Sequence, residues 1–130
     1  SWSSAADSSR CHRSKSIDEA ISVIAKEENH LDVLVNNAGI MVYGSVENTT
    51  IEEAQKIFDV NFFGVMRVTQ AVLPLMRAQR SGRIIQISSR SGFRPLPSLS
   101  VYAASKFALE GFSETLAAVL KPWNIHVSLI

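Results

Sequence analysis

Leu31-Asp32-Val33-Leu34-Val35-Asn36-Asn37-Ala38-Gly39 is the stretch on which the fold turns. Its first five residues carry one polar side chain, Asp32. A run that apolar suits a short strand covered on both faces by helices, which points to a parallel sheet. Asn36 to Gly39 then falls at the strand's carboxyl end, where open α/β sheets bind their ligands. Small residues let a ligand approach the backbone, and Asn side chains can pin a turn. The segment therefore reads either as a plain strand-ending turn or as a cofactor contact.

On the amino side, Ser16 and Glu19 form a capping-box pattern ahead of an apolar stripe at Ile17, Ala20, Ile21 and Ile24. This predicts a helix from Ser16 to about Asn29. Residues 1 to 15 are Ser-rich and aperiodic and read as an unmatched, disordered leader. Cys11 and His12 stand side by side there without the second pair that a metal site needs.

On the carboxyl side, Thr50 and Glu53 form a second capping box. A long helical pattern follows through Ile57, Phe58, Phe62, Val65, Met66, Val68, Val72 and Leu75, with a kink predicted at Pro74. Asn61 interrupts the pattern. It is either a solvent-facing, locally bonded amide or an orienting group near an active site. Ser81-Gly82 stops the helix, and 83 to 88 is the next strand. Ser88 and Ser89 close it, as turn residues or as a hydroxyl for a substrate oxygen. The loop over 90 to 100 holds Phe93 and Leu96, which either line a pocket or pack underneath. A helix over 101 to 120, ended by Pro122, leads to a third strand over 125 to 130.

Alternating strands and helices predict an α/β fold: a partial Rossmann fold, a doubly wound parallel sheet with helices on both faces. The two long crossover helices are expected on one face and the first helix on the other. A start at Ser1 and an end inside an apolar run suggest that 16 to 130 is the central to C-terminal part of such a domain, truncated at both ends. The outer edge of the first strand is then expected to be open.

Tyr102 and Lys106 are spaced i, i+4 and project from one face of the last helix. A phenol is a poor acid or base near neutral pH, and a fixed ammonium one turn away favours the phenolate. The pair is suited to moving a proton between an alcohol and a carbonyl.

The composition narrows the field. A formal net charge of +1 gives no sign of nucleic-acid binding. The single Cys11 precludes an internal disulfide and suits a reducing, cytoplasmic setting. No run reaches the length of a membrane span, and loose attachment to a membrane surface is compatible with the sequence.

Taken in order, Asn36-Asn37-Ala38-Gly39, Asn61, Ser89 and Tyr102 with Lys106 resemble the short-chain dehydrogenase/reductase family. Ser105 to Phe112 and His126 to Ile130 look like its branch containing 17β-hydroxysteroid dehydrogenase type 1 and photoreceptor retinol dehydrogenase. The resemblance implies an NAD(P)-dependent oxidoreductase interconverting an alcohol and a carbonyl on an apolar, steroid- or retinoid-like substrate. It leans towards NADP over NAD. By the same resemblance Tyr102 is the acid and base, Lys106 its partner and the holder of the nicotinamide ribose, Ser89 the group polarising the substrate oxygen, and Asn61 the residue steadying a water relay. Asn37, Ala38 and Gly39 would border the cofactor, and Phe93 and Leu96 would face substrate. The long helices would pair copies into a homo-oligomer. The family's Gly-rich turn has no match here, since the leader contains no glycine. An alternative is therefore an inactive, truncated remnant that serves as an interaction or dimerisation module. A nucleotide-sugar epimerase or dehydratase using the same Tyr and Lys fits the Asn pattern less well.

Overall fold

The computed structural model describes residues 8 to 130, with side chains from Lys15 onward. Helix α1 is Ser8–Glu27, strand β1 is Val33–Asn36, helices α2 and α3 are Ile51–Phe58 and Val65–Gln79, and strand β2 is Gly82–Gln86. Helix α4, Ser100–Leu120, leads to strand β3, Ile125–Leu129. The strands are parallel in the order β1-β2-β3, with Leu34, Ile84 and Val127 side by side. This is the α/β, partial Rossmann architecture that the strand and helix alternation predicts.

Two expectations are corrected. The first helix begins at Ser8 rather than at the Ser16 capping box, so residues 8 to 15, read as leader, are helical. Arg10, Arg13 and Lys15 are unbranched and propagate a helix well, and an internal capping pattern does not oblige one to start. Residues 1 to 7, and the side chains of Cys11 and His12, lie outside the described residues.

The second correction concerns the layers. Ile21 of α1, Leu73 and Met76 of α3, and Leu116 and Leu120 of α4 belong to one cluster with Leu34, Ile84 and Val127. All three long helices thus cover the same face of the sheet, and α1 does not cover the other. The opposite face alternates Val33 and Val35 with Arg83, Ile85, His126 and Ser128. Polar residues on β2 and β3 deny it the continuous apolar surface that an amphipathic stripe would need. Val33 and Val35 are 45% and 52% exposed, and among the described residues no strand pairs with the outer edge of β1.

Local chemistry sets the element ends. Thr50 Oγ1 accepts from the Glu53 N–H at 3.1 Å while Glu53 Oε2 accepts from the Thr50 N–H at 2.9 Å, so the expected capping box is formed. Between α2 and α3 the turns widen into a π-helical segment, Asp59–Gly64, bracketed by an Arg67–Asp59 ion pair at 2.6 Å. The long helical pattern is interrupted here, whereas α3 continues through Pro74. At the far end of α3, the Gln79 amide accepts from the Leu31 N–H at 2.8 Å and donates to its carbonyl at 3.1 Å, which fixes the entry to β1.

Gly82 opens β2 directly beneath α3. A Cβ there would stand 2.6 Å from Met76 Sδ and 2.9 Å from its Cγ, and Met76 is fully buried. Gly82→Ala is expected to cost about 1–3 kcal/mol through this overpacking, measured as a lower urea midpoint at unchanged slope.

Candidate active site

Asn61 is the hub. The π-helical widening brings it inward, at 0% exposure between buried Ile57 and Val65. Its Oδ1 accepts from the Ile40 N–H at 2.8 Å, and its Nδ2 donates to the Ile40 carbonyl at 2.9 Å and to Ser105 Oγ at 3.0 Å. The Ser105 hydroxyl in turn donates to the Tyr102 carbonyl at 2.7 Å. One amide thus ties the chain after Gly39 to the first turns of α4.

Lys106 lies on that same helix and is 4% exposed. Its Nζ donates to the Ile87 carbonyl, just past β2, at 2.8 Å and sits 5.8 Å from the centre of the Tyr102 ring. Burial pushes the Lys106 ammonium below its ordinary pKa of 10.5, and the nearby Glu110 charge works against that shift. Gly39 completes the group. A Cβ on it would lie 3.6 Å from Asn61 Oδ1 and 3.7 Å from Lys106 Nζ, so its missing side chain leaves a wedge open between the two.

Asn61, Gly39, Tyr102 and Lys106 are therefore brought together at the carboxyl ends of β1 and β2. Asn37 and Ala38 are exposed beside them and line a cavity of about 410 Å³ with Leu34, Val60 and Val65. Asn36 is buried and donates to Thr69 Oγ1 at 3.3 Å, tying the turn to α3.

The serines and the loop are placed differently. Ser89 is half-buried, and its hydroxyl accepts from the Ser91 N–H at 3.1 Å, capping the short 3-10 turn Arg90–Gly92. That bond stays within the turn and does not reach Tyr102. Ser88 donates to Glu110 of α4. Phe93, 70% exposed, and Leu96 are on the surface of the loop ahead of α4, so neither packs underneath and neither is joined to the hub.

Ser105, Glu110 and the backbone of Ile40 and Ile87 have no role that the sequence pattern assigns. Ser105 was within reach, standing three residues past Tyr102 on the same helix face. The backbone groups carry no side-chain signal. Among the described residues no His, Cys, Asp and Glu cluster is able to hold a metal ion, and no helix is long and apolar enough to cross a membrane.

Residues 7–130 match the model of the family described as short chain dehydrogenase. The chain is 45% identical over 115 residues to the 3-ketodihydrosphingosine reductase of Bacteroides thetaiotaomicron, covering 88% of this chain and 43% of that protein. It is 47% identical over 116 residues to human retinol dehydrogenase 8, covering 89% of this chain and 36% of that protein. It is 45% identical over 103 residues to human 17-beta-hydroxysteroid dehydrogenase type 1, covering 79% of this chain and 31% of that protein. It spans less than half the length of these relatives. Among solved structures, a metagenomic short-chain oxidoreductase in complex with NADP aligns with a TM-score of 0.84 at 32% identity, over 89% of this chain and 53% of that one. An NAD+-bound xylitol dehydrogenase aligns with a TM-score of 0.86 at 27% identity, over 89% of this chain and 45% of that one. With the parallel sheet, these matches establish that the chain belongs to the short-chain dehydrogenase family.

Proposed function

We propose that these residues form the proton-handling half of a nicotinamide-dependent oxidoreductase that interconverts an alcohol and a carbonyl on an apolar substrate. The carrying observation is the buried Lys106 ammonium, fixed at the Ile87 carbonyl, near the Tyr102 ring and open towards Gly39. An ammonium has three donors, and one is committed to Ile87. The other two suit sugar hydroxyls, and the wedge at Gly39 gives a flat or sugar-like group access to them. These residues therefore fit the nicotinamide and ribose end of such a cofactor. The cofactor, when bound, supplies or takes up the hydride. Tyr102 gives its phenolic proton to the substrate oxygen in reduction and takes it back in oxidation. Ser89 supplies a hydroxyl to the same oxygen, and Asn61 holds Ile40 and Ser105 so that Gly39 and Tyr102 keep their places.

The names of the relatives support an apolar substrate, since a retinol, a hydroxysteroid and a ketodihydrosphingosine each pair a hydrocarbon body with one reacting oxygen. Phe93 and Leu96, exposed near the start of α4, supply apolar surface for such a body. The NADP and NAD+ complexes of the structural relatives support a nicotinamide cofactor, with NADP the first to be tried. Exposed Phe107 and Val119 on α4 support pairing of two copies through the long helices.

The test is a titration of the chain with NADPH and then NADH, followed by nicotinamide fluorescence. Saturable binding is expected, weakened about tenfold or more by Lys106→Ala, the scale of a hydrogen bond from a charged group. Because burial lowers the Lys106 pKa, affinity is expected to fall on the alkaline side beginning below 10.5, as the ammonium loses its proton. The folded state holds that proton less firmly than the unfolded one, so folding stability rises with pH over the same window. No saturable binding to folded chain, or equal binding by Lys106→Ala, would sink the proposal.

A further inference from the structure

Glu110 stands one helical turn beyond Lys106, and the two side chains grip consecutive residues of the turn leaving β2. Lys106 Nζ donates to the Ile87 carbonyl at 2.8 Å, and Glu110 accepts from the Ser88 hydroxyl. The next residue is Ser89. Space around the second grip is tight: a Cβ on Gly92 would stand 2.9 Å from Ser88 Oγ and 3.1 Å from Glu110 Cγ and Oε1. The 3-10 turn folds back over this contact, with the Ser89 carbonyl accepting from the Gly92 N–H at 2.8 Å.

We propose that Glu110 is a positioning residue of the site, whose carboxylate, through Ser88, locks the turn that presents Ser89 and sets a compensating charge beside the buried Lys106. This rests on the roles given above to Ser89 and Lys106. A neutral side chain at 110 could fill the same space, but only an acceptor holds Ser88, and only a carboxylate favours the ammonium. Tyr102 and Glu110 are the titratable groups set beside Lys106 by the described contacts. The other groups packed around it, at Gly39, Asn61 and 87 to 89, bring none.

The test uses Glu110→Gln and Glu110→Ala in the chain itself, with amide hydrogen exchange at 88 to 92 and an alkaline titration of the Lys106 Cε carbon-13 shift. A Gln oxygen still accepts from Ser88, so that variant is expected to keep Gly92 exchange within about twofold of the parent. It is also expected to move the Lys106 titration to lower pH. The Ala variant is expected to speed Gly92 exchange about tenfold or more and to move the titration in the same direction. Should Glu110→Ala fail to fold, Ser88→Ala removes the same bond without touching α4 and is expected to give the same rise in exchange. Unchanged exchange in the Ala variants, or an unmoved Lys106 titration in Glu110→Gln, overturns the proposal. Neither readout needs cofactor or turnover, so a failure of nicotinamide binding would sink the proposed function without deciding this one.

Discussion

Tyr102→Phe in the whole protein is expected to lower interconversion of an apolar alcohol and its carbonyl by about 10²–10⁴-fold, the usual share of a general acid–base group. The substitution removes one atom of consequence. The bond that anchors Tyr102 to its surroundings runs from Ser105 Oγ to its backbone carbonyl, so it survives. The ring remains beside Lys106 Nζ, and Phe and Tyr have similar helix propensities. Nicotinamide-cofactor affinity should therefore stay within about twofold while kcat collapses, the pattern of a group that acts in the transition state rather than in binding. Measuring both on one preparation separates a lost proton donor from a damaged site. Retention of activity to within about tenfold would remove Tyr102 from the acid–base role. Lys106→Ala is the complementary case, since it should weaken cofactor binding as well as turnover.

Much of this arrangement was legible in the sequence because it rests on side-chain pattern. The apolar run before Asn36 implied a parallel strand. The Thr50 and Glu53 pair implied the start of α2, and the spacing of Tyr102 and Lys106 put both on the early turns of α4. What was not legible depends on the backbone or on tertiary choice. Ile57, Asn61 and Val65 recur at intervals of four, a spacing that an α-helix also satisfies, so nothing in the pattern announced the π-helical widening that buries Asn61. The Ile87 carbonyl that holds Lys106 leaves no mark in a residue string. The placement of α1 beside α3 depended on which sheet face offered apolar area, and that was decided by Arg83 and His126 on neighbouring strands. Phe93 and Leu96 looked able to pack or to line a pocket, but two prolines close by and no helical or strand pattern left them exposed.

Asn61→Leu is expected to be the most damaging single change to stability, costing about 3 kcal/mol or more, because it strands both backbone groups of half-buried Ile40 and removes the donor to Ser105 at once. Leu has the same branched skeleton with bulkier methyl ends, so no cavity opens and the lost hydrogen bonds are joined by some overpacking. The Ile40 N–H and carbonyl lose their partners, and the Ser105 hydroxyl loses the Asn61 donor. Each such group left unpaired away from water costs about 1–3 kcal/mol. Ser105→Ala provides the contrast: it removes one contact of the hub and leaves both Ile40 bonds intact, so about 1 kcal/mol is expected. The two residues share a bond, so the double variant should cost less than the sum of the single ones. Urea unfolding of the set reads all three values, provided the slope is unchanged. A further consequence separates a hub of the site from an ordinary buried amide. With Ile40 released, Gly39 is no longer held against Lys106, so cofactor affinity should fall under conditions where the variant is still folded. Folded Asn61→Leu that binds the nicotinamide cofactor as the parent does would show that the hub stabilises the fold alone.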